Sequence, residues 1–279
     1  MLAYIFPGQG AQVVGMGKEL LNDFVTLERK ASEILGYSIK SLCLDDPHKS
    51  LNNTAYTQPA LFTVNALTYI KHFENTGVDP DYLAGHSLGE YNALFAAEVF
   101  DFPTALRLVQ KRGELMAKAR DGGMVAVVGS DLSGVVEVIK GEAPNIDIAN
   151  YNSDVQLVLS GPKDELNSIQ ELVESKGCRF IPLAVSAAFH SRYMASAATE
   201  FREFLKTVEI GSPKATVIAN VTAKAYPLEP DAIRDLLAAQ ITSSVRWTDT
   251  VRLIRQADVV DFVEMGPGKV LTGLLKNIA

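Results

Sequence analysis

The chain has 279 residues, of which 47% are hydrophobic and 21% charged, and its formal net charge is -7. This length can bury a substantial core, while the acidic balance and the lack of a Lys/Arg-rich cluster argue against nucleic-acid binding. The N-terminus has no basic leader, and no apolar stretch could span a bilayer, so we expect a cytoplasmic protein without membrane contacts. Two cysteines and four scattered histidines predict neither a disulfide framework nor a metal centre.

The N-terminal segment predicts a strand, a glycine-rich turn and a helix. The apolar run from Leu2 to Phe6 stops at Pro7, the loop covers residues 8–12, and residues 18–36 have a helical pattern. The loop lacks the third glycine and the Gly-Lys-Ser/Thr of phosphate-binding loops. A loop that offers a backbone N–H to an oxyanion fits equally well. Residues 61–73 predict the next helix, with Pro59 in its first turn.

The stretch Gly85-His86-Ser87-Leu88-Gly89 lies between a strand-like run, 82–84, and a helix-like run, 91–97. A Gly-x-Ser-x-Gly in this position is typical of a nucleophile elbow, in which the serine hydroxyl is exposed above a helix N-terminus. Ser87 is therefore the candidate nucleophile, and the N–H of Leu88 could stabilise an oxyanion. A glycine-rich turn with an incidental serine is the alternative.

The remaining pattern predicts a two-part α/β fold. A helix over 103–119 precedes strands and helices in the order β-α-β-β-α-β between residues 122 and 185, which is the ferredoxin-like unit. We expect it to be a subdomain, residues 123–186, inserted into an α/β-hydrolase-like catalytic domain of residues 1–122 and 187–279. Outside the insertion, alternating strands and helices predict a parallel sheet covered by helices. The later elements are helices over 193–206, 231–240 and 247–256 and strands over 216–220 and 259–263.

A serine nucleophile needs a base within hydrogen-bond reach. His48 and His72 lie in polar segments, and His86 is too close in sequence to turn back onto the Ser87 hydroxyl, so His190 is the candidate base. An acidic third member would have to be one of three unmarked residues, Asp101, Asp121 and Asp147. A Ser-His dyad whose imidazole is oriented by backbone carbonyls satisfies the same requirement.

Several motifs together resemble one family, the malonyl-CoA:acyl carrier protein transacylases. The motifs occur in the family's order along nearly the whole chain: Phe6-Pro7-Gly8-Gln9-Gly10, Thr57-Gln58-Pro59-Ala60, Gly85-His86-Ser87-Leu88-Gly89-Glu90, Lys111-Arg112-Gly113, Ala188-Phe189-His190-Ser191 and Glu264-Met265-Gly266-Pro267. The chain is most similar to the discrete, trans-acting acyltransferases of modular polyketide synthases. The resemblance implies malonyl-CoA and a phosphopantetheinylated acyl carrier protein as substrates, with no other cofactor.

The resemblance also implies the roles of individual residues. Ser87 would carry malonyl as an ester, His190 would act as base and then acid, and the backbone N–H groups of Gln9 and Leu88 would form the oxyanion hole. The backbone around Gln240 would orient the imidazole. Asn152 matches a position near the histidine and the acyl site.

Substrate selection is assigned to a further set of residues. Arg112 would hold the malonyl carboxylate by two parallel charge-assisted hydrogen bonds, which an acetyl group cannot make. In the family, Phe189 together with Leu88 accompanies selection of malonyl over methylmalonyl, because a phenyl ring leaves little room for a branch. Met116, one helical turn beyond Arg112, is a candidate for the same pocket or for ordinary core.

Other functions remain open from the sequence. An acyl hydrolase of the same fold would clear carrier-bound acyl chains, and Arg112 argues against it. A malonyl transacylase of fatty-acid synthesis is a further alternative. A generic esterase is disfavoured by the missing acid and by the insertion, and a non-catalytic carrier-docking scaffold is disfavoured by the intact Ser87 and His190. Nothing in the sequence requires an oligomer, so we expect a monomer.

Overall fold

The computed structural model describes residues 1–279. Eight strands and thirteen α-helices, numbered in chain order, build the fold. The strands are β1 (Leu2–Phe6), β2 (Tyr82–Gly85), β3 (Gly122–Val128), β4 (Asp147–Ser153), β5 (Gln156–Pro162), β6 (Arg179–Pro182), β7 (Thr216–Ile218) and β8 (Asp261–Glu264). The helices are α1 (Lys18–Asp23), α2 (Val25–Leu35), α3 (Ile39–Leu44), α4 (Thr54–Thr76), α5 (Gly89–Ala96), α6 (Phe102–Lys118), α7 (Leu132–Glu142), α8 (Lys163–Ser168), α9 (Gln170–Ser175), α10 (Ala195–Leu205), α11 (Pro230–Gln240), α12 (Trp247–Gln256) and α13 (Val270–Leu275).

The first sheet is parallel throughout, with strand order β7-β2-β1-β8. Because successive side chains of a strand point to opposite faces, β1 separates two cores. Tyr4 and Phe6 face the main core beneath α4, α5 and α6, whereas Ala3 and Ile5 face a smaller core with α12 and α13. The carboxyl ends of these strands share one edge of the sheet, and the turn after β2 lies there.

The second sheet has the order β4-β5-β3-β6, and each pairing is antiparallel. Its four strands alternate with α7 and with the α8–α9 pair in the β-α-β-β-α-β order of a ferredoxin-like unit. A separate cluster of 12 buried residues, including Val127, Val135 and Leu159, lies between this sheet and its helices. The predicted fold class, a parallel α/β sheet with an added antiparallel unit, is confirmed.

Several predicted helices have different bounds in the structure. The helix over 18–36 is interrupted at Phe24, and the second helix of the predicted β-α-β-β-α-β unit is interrupted at Ile169. The helix predicted over 61–73 begins earlier, after Asn53, whose side chain accepts a hydrogen bond from the N–H of Ala55. Placing Pro59 in the first turn was therefore wrong, since it lies inside α4. The short helices α3 and α13 were not predicted.

The antiparallel unit is hydrogen-bonded to the loop between α11 and α12. Val245 in that loop pairs in parallel with β4, donating to Ala149 O at 2.8 Å and accepting from Tyr151 N at 3.0 Å. The hydroxyl of Ser244 donates to Ile148 O at 2.5 Å. The hydrogen bonds of β4 therefore link the antiparallel unit directly to the larger part of the chain. None of the helices combines the length and the apolar character that a bilayer crossing requires.

Candidate active site

Ser87 occupies a strained turn between β2 and α5. Its φ is 52°, in the left-handed region that a non-glycine residue seldom adopts. The turn is tight because a Cβ on Gly85 would lie 1.9 Å from the Gly89 carbonyl carbon, and one on Gly89 would lie 2.0 Å from Phe6 O. Asn220, just after β7, holds the turn from outside: its Oδ1 accepts from Ser87 N at 2.8 Å and its Nδ2 donates to Gly85 O at 2.7 Å.

His190 faces the Ser87 hydroxyl. The distance between Ser87 Oγ and His190 Nε2 is 2.7 Å, while His190 Nδ1 lies 2.9 Å from Gln240 O and 3.2 Å from Ser243 O. Two carbonyl acceptors at Nδ1 require its proton there, so Nε2 is left as the acceptor for the hydroxyl proton. The imidazole is oriented by main-chain carbonyls and not by a carboxylate.

The three aspartates considered as a third member have other positions. Asp101 caps α6 through Thr104 N at 2.8 Å, and Asp147 forms an ion pair with Arg192. Asp121 lies in the turn before β3, with a φ of 62°. None of the three contacts the imidazole of His190, whose Nδ1 is already shared between two carbonyls.

The environment of His190 favours its neutral form. The residue is 4% exposed, and burial, together with the nearby positive charge of Arg112, lowers the pKa of His190 to about 3. The uncharged imidazole is the form that can take a proton from a hydroxyl. The φ of His190 is 55°, so both members of the pair are held in the left-handed region.

Arg112 on α6 is buried beside the pair, although other basic residues of this helix are on the surface. It is 1% exposed, and its Nη2 donates to Ser87 Oγ at 3.1 Å and to Gln240 Oε1 at 2.9 Å. Its Nη1 donates to Gln58 Oε1 at 2.7 Å, and its Nε has no partner. No carboxylate neutralises the guanidinium directly. A buried cation with unused donors is suited to binding an anionic group of a ligand.

Behind Arg112 lies a buried carboxyl group that the sequence analysis did not single out. Glu90, in the first turn of α5, is fully buried, and its Oε1 accepts from Tyr226 Oη and from Asn220 N at 3.3 Å. Its Oε2 accepts from Gln240 Nε2, which also donates to Ser87 O at 2.9 Å. Burial raises the pKa of Glu90 to about 7 despite these hydrogen bonds. The sequence signal was an acidic residue in an otherwise apolar helix.

Two backbone amides complete the site. The N–H groups of Leu88 and Gln9 donate no hydrogen bond within the chain, and both residues line a cavity of about 110 Å³ with Ser87 and His190. Two free amides beside a nucleophile can bind the oxyanion of a tetrahedral intermediate. The site therefore combines a serine hydroxyl, a neutral imidazole, two free backbone amides and a buried cation.

Comparison with known proteins gives the family. Residues 3–277 match the acyl transferase domain family. The chain belongs to this family.

Its relatives include a polyketide biosynthesis malonyl CoA-acyl carrier protein transacylase, PksC of Bacillus subtilis, which is 50% identical over 100% of this chain and 97% of the relative. A solved malonyl CoA-acyl carrier protein transacylase from Burkholderia pseudomallei has a TM-score of 0.94 and 42% identity, covering 100% of this chain and 97% of that one. A malonyl-transacylase solved in complex with a type II polyketide synthase acyl carrier protein has a TM-score of 0.94 and 38% identity, covering 100% and 93%.

The remaining predicted site residues of the acyltransferase are divided between the cavity and its surroundings. Phe189 and Met116 both line the cavity and are 7% and 2% exposed. The Met116 sulfur accepts from Gln58 Nε2 at 3.3 Å, which places it in the same hydrogen-bonded layer as Arg112. Asn152 does not contact His190: its Oδ1 lies 2.8 Å from His86 Nε2.

Two further features of the acyltransferase site came only from the structure. Asn150, and not Asn152, lines the cavity, and its Oδ1 is buried without a partner. Strand alternation could not have indicated this, because β4 has register shifts between Ile148 and Asn150 and between Tyr151 and Ser153, which break the two-residue repeat of side-chain direction. No group of three or more His, Cys, Asp and Glu side chains is arranged to hold a metal ion.

Proposed function

We propose that this acyltransferase moves malonyl groups from malonyl-CoA to the phosphopantetheine thiol of an acyl carrier protein, in polyketide synthesis. The observation that most directly supports this function is the buried guanidinium of Arg112, whose Nη2 is 3.1 Å from the Ser87 hydroxyl. If the acyl group on Ser87 has a free carboxylate, the guanidinium of Arg112 would neutralise its negative charge. The names of the relatives, with PksC at 50% identity, support the same substrates.

In the first half-reaction, Ser87 Oγ attacks the thioester carbonyl while His190 Nε2 takes its proton. The carbonyl oxygen becomes an oxyanion bound by the N–H groups of Leu88 and Gln9. The intermediate collapses, the C–S bond breaks, and the CoA sulfur leaves with the proton from His190. Malonyl is then an ester of Ser87.

The second half-reaction is the reverse sequence with a different thiol. The carrier's thiol gives its proton to His190 and attacks the ester carbonyl, and Ser87 Oγ recovers the proton as the C–O bond breaks. Side chains and main-chain amides of this chain supply every proton transfer and charge, so the proposal needs no cofactor besides the two substrates. The Gln240 and Ser243 carbonyls stabilise the imidazolium that forms in each half.

Acyl selection follows from the cavity that holds the ester. Its volume of about 110 Å³ suits a small acyl group, and Arg112, Met116 and Phe189 line it. We propose that Arg112 selects for a carboxylate and that the Phe189 ring disfavours an α-branch. A hydrolase would need water in place of the carrier thiol, and the transacylase names of the relatives do not favour that alternative.

The domain division is part of the proposal. Residues 1–122 and 187–279 would form the catalytic domain and 123–186 the ferredoxin-like subdomain. All strands of the parallel sheet fall in the first part, and the antiparallel sheet spans residues 122–182, which supports the division. A monomeric state and a cytoplasmic location stay predictions.

Intact-mass measurement after brief incubation with malonyl-CoA tests the function. We expect a malonyl adduct on the wild type, none on Ser87→Ala, and transfer of the adduct when a phosphopantetheinylated carrier protein is added. Arg112→Ala should show a weak adduct, whereas Arg107→Ala, an exposed arginine on the same helix, should match the wild type. Release of CoA without adduct or acylated carrier would indicate a hydrolase, and no reaction of the wild type would refute the assignment.

A further inference from the structure

A second cavity adjoins the catalytic one and opens to the surface. It has a volume of about 380 Å³ and shares four lining residues with the catalytic cavity: Gln9, Met116, Val185 and Phe189. We call it the vestibule, and its outer wall consists of Lys49, Asn52, Asn53, Thr54, Ala117, Arg120, Ala184 and Ser186. A ligand seated in the vestibule would extend directly past Gln9 and Phe189 toward Ser87.

The outer wall of the vestibule is positively charged. Lys49 and Arg120 line it and no Asp or Glu does. Neither cation takes part in any of the ten ion pairs of the chain. Two unpaired cations in a lining without acidic residues are notable in a chain of net charge -7, because an anionic ligand would otherwise be repelled.

Each cation is anchored through its own neighbours and keeps free donors. The backbone of Lys49 is held in a turn, with its N–H donating to Asp46 O at 2.9 Å. The Asp46 carboxylate is occupied, since its Oδ1 accepts from the N–H groups of Ser50 and Leu51 at 2.7 and 3.1 Å. Arg120 uses Nη1 to cap the carbonyls at the end of α6, and its Nη2 and Nε form no hydrogen bond.

A third cavity, larger than the vestibule, has the opposite character. It has a volume of about 1250 Å³, and His190 is the one residue it shares with the catalytic cavity. Three arginines line it, but each is paired with an aspartate: Arg192 with Asp147, Arg246 with Asp249 and Arg252 with Asp154. Size alone would favour this cavity, yet three of its four cations are already paired with carboxylates, and only Lys140 is not.

We propose that the vestibule is the phosphate-binding part of the acyl-donor and acceptor site, and that Lys49 and Arg120 bind the phosphate end of the phosphopantetheine arm. This inference rests on the proposed function, in which CoA and the carrier protein both present a pantetheine thiol. Both arms end in a phosphate ester, so one pair of cations serves both half-reactions. Ammonium and guanidinium groups form charge-assisted hydrogen bonds with phosphate.

Kinetics with and without the phosphate test the proposal. The variants are Lys49→Ala, Arg120→Ala and the double variant. The control is Lys140→Ala, which replaces an exposed lysine that lines the third cavity. For malonyl-CoA we expect kcat/KM to fall about tenfold for each cation removed, mainly through KM. For malonyl-pantetheine, which lacks the phosphate, the variants and the wild type should be equal. Equal losses with both donors would overturn the proposal, because they would show a structural effect.

The acceptor half-reaction distinguishes the phosphate from the carrier's protein surface. Free 4'-phosphopantetheine and the holo-carrier protein should both react more slowly with the double variant. A loss confined to the carrier protein, with malonyl-CoA and phosphopantetheine unaffected, would show that the cations bind an acidic protein surface and would overturn the phosphate assignment.

A measurement of CoA binding tests the vestibule independently of the proposed malonyl transfer. Calorimetric titration with CoA itself needs no chemistry, and we expect the double variant to bind CoA more weakly while both proteins bind pantetheine alike. Weaker CoA binding would support the vestibule even if the wild type formed no malonyl ester. Unchanged CoA affinity in the double variant would overturn the vestibule while leaving malonyl transfer intact.

Discussion

The substitution Glu90→Gln tests whether the buried carboxylate sets the direction of the hydrogen bonds around Ser87. In the structure, Arg112 Nη2 donates to Gln240 Oε1, and Gln240 Nε2 donates to Glu90 Oε2. Above the pKa of Glu90, which is about 7, the carboxylate only accepts, and this fixes the Gln240 amide with its oxygen toward Arg112. The other oxygen, Oε1, accepts from Asn220 N, and Asn220 in turn binds Ser87 N.

A glutamine at position 90 has the same size but carries two N–H donors at one end. In one orientation the new amide nitrogen faces Gln240 Nε2, and in the other it faces Asn220 N. Either way one buried donor loses its acceptor, which costs about 1 to 3 kcal/mol. Because both affected residues hold Ser87, we expect this cost to appear in the transition state, corresponding to a fall in kcat/KM of roughly 5- to 150-fold.

The assay is the rate of malonyl ester formation, followed by rapid-quench intact mass, for Glu90→Gln and for Glu98→Gln. Glu98 follows α5, and its side chain is 64% exposed in an ion pair with Lys214, so its replacement should leave the rate unchanged. A second readout is the preference for malonyl-CoA over acetyl-CoA, which should decrease if Gln240 rotates away from Arg112. Wild-type rate and preference in folded Glu90→Gln would refute the reasoning.

Three further predictions concern the same cavity. Arg112→Lys should lower kcat/KM for malonyl-CoA by about 10- to 100-fold, because an ammonium cannot bind a carboxylate through two parallel bonds, and steady-state kinetics will show whether it does. Phe189→Ala should raise the ratio of methylmalonyl to malonyl transfer by roughly 10-fold or more, since one methyl in a pocket is worth about 1 to 3 kcal/mol, and competition between the two CoA esters measures it. Because burial lowers the pKa of His190 to about 3, from 6.5, its neutral form contributes stability above pH 6.5 that is lost as the pH falls toward 3. Urea unfolding at several pH values should therefore show a steeper loss of stability on acidification for the wild type than for His190→Ala; parallel curves would contradict this.

The sequence predicted what local patterns encode. The elbow at Ser87 and the β-α-β-β-α-β order between residues 122 and 185 were readable because turn glycines and hydrophobic periodicity act within a few residues. Helix bounds were less accurate. Asn53 caps α4 six residues before Pro59, so the proline lies inside the helix. The proline removes one backbone hydrogen bond, and the burial of α4 outweighs that loss of stability.

The arrangement behind the catalytic pair was beyond sequence reasoning. The partners of Glu90 are Tyr226, Gln240 and Asn220, which lie 130 to 150 positions away in the chain. No periodicity relates residues so far apart, and only the packing of α11 and the segment after β7 against α5 brings them together. The family resemblance assigned Gln240 a role through its main chain. Only the three-dimensional structure shows that its side chain also links Arg112 to Glu90.

The pairing of Val245 with β4 has a consequence for exchanging parts between related enzymes. Val245 lies two residues after Ser243, whose carbonyl accepts from the imidazole of His190, so the loop that pairs with the inserted segment also orients His190. A chimera that replaced residues 123–186 alone would join a foreign strand to a native loop, and any shift in register there would reach the imidazole. The unit of recombination is therefore the insertion together with residues 241–246, although these two segments are far apart in the gene.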